Sequence, residues 1–294
     1  MLSITKYMIV VGAQFFCVVG FAQKVDLEKQ LWIHGALNCA QNKEPGLQVL
    51  KYDQNTFILR QNKCLNYEAP FLYLFIGRSK AVLVDTGAET DESFPLYESV
   101  RKILTDKSGK MVPLVVVHSH GHGDHNAGDI QFKDKPNVEL IPPTKKGNVD
   151  FFHLNNWPND EAHFDLGQRD LVIIPIPGHD EMSIAIYDPQ TQWLLTGDTI
   201  YPGRLYVRDV RAFCSSITRL NAFSKVHPVR YLMGNHIEMT RTKGVDYPTG
   251  TTYQPEEHTL PLGLTALREL SVACERIVNK FVYEIHDDFI LVPK

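Results

Sequence analysis

Asp85, the run His120-Gly121-His122-Gly123-Asp124-His125, then His179, Asp198 and His236 are the residues of this chain whose types and spacing could do chemistry. Imidazoles and carboxylates are donors for divalent cations, and this many of them could hold two ions with room for a water between. Water is a poor nucleophile at neutral pH, but coordination to zinc brings its pKa from 15.7 to about 7. The chemistry on offer is therefore hydrolysis. Gly121 and Gly123 alternate with the donors, and residues without Cβ let the backbone bend until side chains two apart converge. Asp124 and His125 are adjacent and cannot face the same way on regular structure, so they would serve a second ion. His118 competes for the register, since it stands as far from His120 as His120 does from His122.

These donors need a scaffold that brings distant segments together. Val115, Val116 and Val117 form a β-branched run that reads as a buried strand, which puts the histidines on a loop at its carboxyl end. Strands are also expected over residues 47–52, 57–60, 71–76, 81–84, 138–141, 171–176, 183–187, 193–195 and 230–233. Helical periodicity points to helices near 96–105, 210–226 and 262–281. Strand-rich sequence first, interleaved later with helices, indicates an α+β fold of two sheets packed face to face with helices outside.

The run SHGHGDHNAG at 119–128 resembles the His-x-His-x-Asp-His signature of the metallo-β-lactamase-fold hydrolases. VLVDTG around Asp85, PIPGHDEMS around His179, LLTGDT around Asp198 and YLMGNH around His236 resemble that family's other motifs, in the same order. The resemblance implies an αββα sandwich of two mixed sheets flanked by helices. It implies that His120, His122 and His179 bind one metal, that Asp124, His125 and His236 bind another, and that Asp198 bridges them. Asp85 would sit behind the ligands and orient one of them. The Asp124-His125 pair, placed two residues after the second histidine in the family pattern, decides the register against His118. Zn²⁺ is the expected ion, with Mn²⁺ or Fe²⁺ as alternatives that accept many of the same ligands.

Asp198 stands where β-lactamases of classes B1 and B2 carry a cysteine, which places the chain nearer the glyoxalase II and lactonase branches. The resemblance thus implies attack of metal-bound hydroxide on an ester, thioester or lactone, with Asp124 and Asp198 at the reacting centre. Phosphodiester or β-lactam hydrolysis at the same site, persulfide oxygenation on a single iron, and metal binding without catalysis are the alternatives. Tyr201 is placed like the tyrosine that acyl-homoserine lactonases aim at the substrate carbonyl. A phenol there could donate to the developing oxyanion, an effect of about 2.7–4 kcal/mol. Tyr206 is a rival aromatic beside the site, and His258 a candidate substrate contact. Residues 238–262, rich in Thr, Pro and Gly, and residues 144–163, with Phe151, Phe152 and Trp157, are expected to wall the cleft.

Composition fits one enzyme domain over residues 23–294. The chain of 294 residues is 44% hydrophobic and 22% charged, enough apolar content for a sizeable core. Its net charge of −4 argues against a nucleic-acid partner and leaves a small molecule as the expected one. Residues 1–22 read as a secretory signal peptide: Lys6, an apolar stretch over 9–21, and small Gly20 and Ala22 before Gln23. The stretch is too short to span a membrane stably, and export to the periplasm or beyond is expected. An oxidising compartment would permit Cys39, Cys64, Cys214 and Cys274 to form up to two disulfides, with three connectivities open. Oligomeric state is not legible.

Overall fold

The computed structural model describes residues 25–90 and 93–294, so the expected signal peptide lies outside the described residues. Strands β1 (Leu47–Lys51), β2 (Thr56–Gln61), β3 (Phe71–Ile76) and β4 (Ala81–Val84) form an antiparallel meander. β5 (Leu114–Val117) and β6 (Val138–Leu140) extend that sheet in parallel, after a crossover through helix α1 (Leu96–Leu104). Two short helices follow the meander, α2 (Gly123–Asn126) and α3 (Lys145–Phe152).

The second sheet is built from β7 (Ala162–Asp165), β8 (Asp170–Pro175), β9 (Ile184–Asp188) and β10 (Trp193–Gly197) in antiparallel order. β12 (Tyr231–Gly234) lies parallel to β10 after a crossover through α4 (Val210–Val226), and β13 (Pro261–Leu262) closes the edge. β11 (Arg204–Val207) pairs instead with β15 (Ile290–Pro293), which also pairs with β14 (Glu284–Ile285); α5 (Leu264–Ile277) precedes them.

Side-chain alternation explains the layers. Phe71, Tyr73 and Phe75 of β3 point between the sheets, where they meet Val115, Val117, Ile173, Ile186 and Trp193. Leu72 and Leu74 point the other way and pack beneath Leu96, Val100 and Leu104 of α1. In the second sheet Ile174, Ala185, Tyr187 and Leu194 face outward, under Phe213, Ile217 and Leu220 of α4 and Leu267 and Leu270 of α5. Each sheet is covered on both faces, so its strands read as near-continuous apolar runs rather than alternating ones. The result is the expected αββα sandwich.

Two polar devices tie down the connections. Arg60 of β2, fully buried, donates to both oxygens of Glu257 at 2.5 and 2.6 Å, anchoring the irregular segment 238–262 to the first sheet. Removing one member of such a pair strands a buried charge and costs about 3–5 kcal/mol. Cys39 is bonded to Cys64, and Cys214 of α4 to Cys274 of α5, which selects one of the three connectivities.

The closing helix is shorter than its periodicity indicates, because Gly263 separates it from β13 and its last turn ends at Ile277. Segment 144–163 is not irregular throughout, since α3 occupies its first half, with the Thr144 hydroxyl accepting from the Gly147 amide at 3.0 Å. Phe152 of that segment, with Phe151 and Trp157 beside it, packs into the core between the sheets. These aromatics complete the core rather than wall a cleft.

Candidate metal centre

Every candidate ligand stands at the carboxyl end of a strand. Asp85 follows β4, the His120–His125 run follows β5, His179 follows β8, Asp198 follows β10 and His236 follows β12. The two sheets present these ends along one edge of the sandwich, so five segments distant in sequence converge.

Their convergence does not depend on glycine bending at 121 and 123. Neither residue is in the left-handed region, and the space where a Gly123 Cβ would sit is open. His122 instead takes an extended conformation, φ −74° and ψ 151°, as the cap of α2, and Asp124 and His125 sit on that single turn. Glycine is required elsewhere. Gly178 has φ +144°, and a Cβ there would come 2.4 Å from the Phe213 Cα, blocking the approach of α4 to the turn that carries His179.

Two donor sets result. His120, His122 and His179 form one, and Asp124, His125, Asp198 and His236 the other, with the ligand atoms of each set within 4.8 Å of one another. His122 Nδ1 lies 2.9 Å from His120 Nε2 and 3.0 Å from His179 Nε2, three ring nitrogens facing a common point. In the second set His125 Nε2 and His236 Nε2 are 3.2 Å apart, and each is 3.3–3.4 Å from Asp124 Oδ2. Asp198 belongs to both. Its Oδ1 is 3.5 and 3.4 Å from His125 and His236, and its Oδ2 is 3.8 and 3.9 Å from His120 and His179. Asp198 Oδ1 is buried without a hydrogen-bond partner, a costly arrangement for a carboxylate oxygen unless a cation completes it. Clustered imidazole nitrogens with an orphaned, ionised carboxylate oxygen between them fit a pair of divalent ions.

Three rear nitrogens are held from behind, one by the Asp85 that the motifs announce and two by backbone carbonyls that they do not. His125 Nδ1 is 3.0 Å from Asp85 Oδ2, and Asp85 also accepts from the Ser119 amide at 2.7 Å, the Ser119 hydroxyl at 2.8 Å and the Asn235 amide at 2.6 Å. Asp85 has φ +68°, a left-handed conformation that turns its carboxyl under the site. His179 Nδ1 faces the Tyr206 carbonyl at 2.8 Å, and His236 Nδ1 faces the Glu68 carbonyl at 2.9 Å. Such partners fix the tautomer and the ring orientation of a ligating histidine. Asn235 links two of these supports, since it also donates to the Phe71 carbonyl at 2.7 Å.

Electrostatics separates the sets. Burial first, then the neighbouring imidazoles, hold His120 well below the usual histidine range; burial and the Arg208 charge lower His122, and burial lowers His179. Those three imidazoles are neutral donors at pH 7. In the other set burial opposes charge, but Asp198 and Asp124 overcome it, raising His125 well above its usual range and His236 to about 9. The same imidazoles hold the Asp124 and Asp198 carboxyls far below the usual carboxylate range despite their burial.

The cleft over these groups has a volume of about 210 Å³ and is lined by Tyr206, Arg208, Glu68, Glu238, Thr249 and Lys294 besides Tyr201 and the donors His122, Asp124, His179, Asp198 and His236. Tyr201 is buried, and its phenol donates to the Arg204 carbonyl at 2.5 Å, with Glu238 Oε2 at 3.1 Å. One proton cannot also serve a substrate oxyanion, so in this arrangement the phenol is committed elsewhere. Tyr206 does line the cleft. His258 does not: its ring is held between the Thr259 carbonyl at 2.8 Å and Asp288 at 3.3 Å. His118 faces Asp129 at 2.9 Å, outside both donor sets. Of the two expected walls, segment 238–262 contributes Glu238 and Thr249, and segment 144–163 contributes nothing to the lining.

Residues 68–239 match the family model described as the metallo-beta-lactamase superfamily. This chain belongs to the metallo-β-lactamase superfamily. Among relatives within it, the acyl-coenzyme A thioesterase MBLAC2 of Homo sapiens is 26% identical over 167 residues, covering 46% of this chain and 59% of that protein. A hydroxyacylglutathione hydrolase of Bdellovibrio bacteriovorus is 26% identical over 141 residues, covering 46% of this chain and 52% of the relative. The chain thus spans between half and three-fifths of the length of these relatives. A solved metallo-beta-lactamase from Pontibacter korlensis superposes with a TM-score of 0.52 at 17% identity, covering 78% of this chain and 99% of the other. That from Hirschia baltica gives 0.52 at 16% identity, covering 78% and 97%. At such identities the structural likeness establishes the superfamily's fold.

The groups that sequence reading missed are Ser119, Asn235, Arg208, and the Glu68 and Tyr206 carbonyls. Only Ser119 and Asn235 carried a signal, as the neighbours of His120 and His236.

Proposed function

We propose that this chain is an exported hydrolase of esters, thioesters or lactones that works with two divalent ions, Zn²⁺ being the expected metal. His120, His122 and His179 would hold one ion, and Asp124, His125 and His236 the other, with Asp198 shared. Such a pair, when bound, lowers the pKa of a water so that it can attack at neutral pH, and polarises the carbonyl under attack.

The chain's own residues supply the rest. Asp85 and the Glu68 and Tyr206 carbonyls back the Nδ1 atoms of three imidazoles, which fixes the ring that each would present to a metal. Asp124 is the more exposed carboxylate, its side chain 23% exposed against 9% for Asp198. It would accept a hydrogen bond from the attacking water and orient it, while the proton released would reach the leaving oxygen or sulfur through solvent, since Asp124 is held far below the usual carboxylate range. Asp198, deeper, keeps the two donor sets in register.

The observation that carries this reading is the split of Asp198, with one oxygen toward each donor set. A single-ion oxygen chemistry would leave Asp124, His125 and His236 without employment. The names of relatives, a thioesterase and a hydroxyacylglutathione hydrolase, support acyl transfer to water over phosphodiester cleavage. Two cystine bridges support an oxidising compartment and hence export.

The test is a panel of esters, thioesters, lactones, phosphodiesters and β-lactams offered to the zinc-loaded protein. Turnover of acyl compounds that chelation abolishes and zinc restores is expected. Activity confined to phosphodiesters or β-lactams, or a preparation holding one iron and consuming oxygen, would overturn the reading.

A further inference from the structure

Lys63, two residues beyond the end of β2, is a buried cation that the proposed reaction does not use. Its side chain is 2% exposed, and it shares one carboxylate with Arg60: Glu257 Oε1 lies 3.9 Å from Lys63 Nζ and accepts from Arg60 at 2.6 Å. Burial, with the Arg60 charge next, pushes the ammonium down to about 8 from an ordinary 10.5, although Glu257, Glu238 and Glu68 pull the other way. A lysine whose folded-state value is depressed weakens the fold at neutral pH, so packing alone does not account for it. A methionine would fill the same space without that cost.

What the ammonium holds is a turn. Lys63 Nζ donates to the Tyr67 carbonyl at 3.2 Å, and the other end of that peptide, the Glu68 amide, donates to the Asn66 side-chain oxygen at 3.1 Å. The next peptide is also fixed at both ends: the Ala69 amide donates to the Asn66 carbonyl at 3.1 Å, and the Glu68 carbonyl faces His236 Nδ1 at 2.9 Å. Ala69 is fully buried with φ +42°, a left-handed conformation that costs energy for a residue with a Cβ and persists only where the surroundings impose it. Relaxing that strain would rotate the two peptides and swing the Glu68 carbonyl off His236. Lys63 opposes the rotation from one end, and from the other the Phe71 amide is held by the Asn235 carbonyl at 2.7 Å.

We propose that Lys63 is a positioning residue for His236: its buried ammonium holds the Tyr67 carbonyl, keeps the strained turn at Ala69 in place, and so sets the Glu68 carbonyl on which the imidazole leans. This rests on the two-ion reading above, in which His236 is a ligand.

The test follows the His236 Nδ1 proton by NMR in the full chain, labelled with isotopic nitrogen in histidine, first metal-free and then loaded with zinc. In the wild type that proton is expected downfield and slow to exchange with water. Lys63→Met should speed its exchange about tenfold, as loss of one hydrogen bond would. Zinc titrated against a chromophoric chelator should bind about tenfold more weakly to Asp124, His125 and His236, and unchanged to the three-histidine set. The Tm should stay level or rise, because a buried charge has gone. Lys63→Gln, whose amide still donates, should fall between the two. Adding Ala69→Gly to Lys63→Met removes the strain that Lys63 opposes and should recover part of both losses. Lys43→Met, at an exposed lysine before β1, should change nothing.

Wild-type proton exchange and zinc affinity in Lys63→Met overturn the proposal, and so does a loss shared equally by both donor sets, which marks a merely structural role. Should Lys63→Met not fold, Lys63→Gln decides, and a wild-type exchange rate there overturns it. If the proton and zinc signatures appear in a protein that hydrolyses no acyl compound, the positioning role stands and the acyl-hydrolase reading falls.

Discussion

The two donor sets of the centre are built differently. The three-histidine set is neutral, and its support is sparse: His179 leans on one backbone carbonyl, His120 on the Ser119 hydroxyl at 3.0 Å, and the outer nitrogen of His122 has no partner. The set around Asp124 is charged and braced, with His125 backed by Asp85 and His236 by a carbonyl, and with Asp85 itself holding three donors. An ion among neutral imidazoles keeps more of its charge and polarises water more strongly; an ion among carboxylates is bound more tightly. With an ion in each set, the asymmetry would divide activation from retention.

Removing Asp198 is the strongest way to break this division, since its oxygens face both sets. Asp198→Ala should lower turnover about 10³-fold or more, the loss of several kcal/mol of stabilisation at the reacting carbonyl, and should empty both sets by elemental analysis. His122→Ala should also abolish turnover but spare the ion held by Asp124, His125 and His236. Both variants should keep their far-ultraviolet circular dichroism, because the sandwich core lies away from the site. Equal metal loss in the two variants would show that the sets are not separate.

Weakening the brace tests retention alone. Asp85→Asn preserves the left-handed backbone, which Asn tolerates, and removes the charge behind His125. Zinc affinity of the set around Asp124 should fall about 10–100-fold, while the three-histidine set keeps its own. A competition titration against a chromophoric chelator reads both affinities. A parallel loss at both sets would mean that Asp85 supports the whole edge rather than one ligand.

Protons give a finer contrast. In the metal-free protein His236 titrates at about 9, against an ordinary 6.5, because the neighbouring carboxylates outweigh its burial. A raised folded-state value contributes stability that is complete below pH 6.5 and is lost as pH climbs through 9. Stripped protein should therefore show a falling Tm across that window. Zinc entering this set must expel the protons of His125 and His236, so its affinity should weaken as pH drops, whereas the neutral set has none to expel near pH 7. Calorimetry in two buffers of different ionisation enthalpy counts the protons released at each step. Equal counts would erase the electrostatic difference between the sets.

The comparison also shows what the sequence makes legible. The candidate donors were readable because a loop motif after a β-branched run, Val115–Val117, states both the strand and its carboxyl end. The sandwich was readable because strands buried on both faces, such as Phe71–Ile76, are apolar throughout. Of the brace, Asp85 was readable from VLVDTG and the rest was not. Backbone carbonyls of Glu68 and Tyr206 leave no trace in side-chain type, and Asn235 acts on Phe71, 164 residues away. Helix α3 escaped notice because Gly147 and Asn148 dilute its apolar spacing, and β11 because its partner β15 lies more than 80 residues on. Tertiary pairing decides such elements, and local propensity does not.

Tyr201 supplies the smallest effect and a sharp one. Its position three residues after Asp198 invites an oxyanion role, for which removal of the hydroxyl would cost about 10²–10³-fold in kcat. In the fold the phenol is instead bound to the Arg204 carbonyl, beside a Glu238 that Arg204 already holds at 2.9 Å. Burial, followed by the Glu238 charge, pushes the phenol well above its usual range, so it stays a donor at any working pH. Tyr201→Phe should accordingly leave kcat within about threefold and cost about 1 kcal/mol of stability, the net value of one hydrogen bond. A hundredfold loss of kcat with KM unchanged would show that the phenol leaves the Arg204 carbonyl when substrate binds, and would move Tyr201 from the supporting wall into the reacting centre.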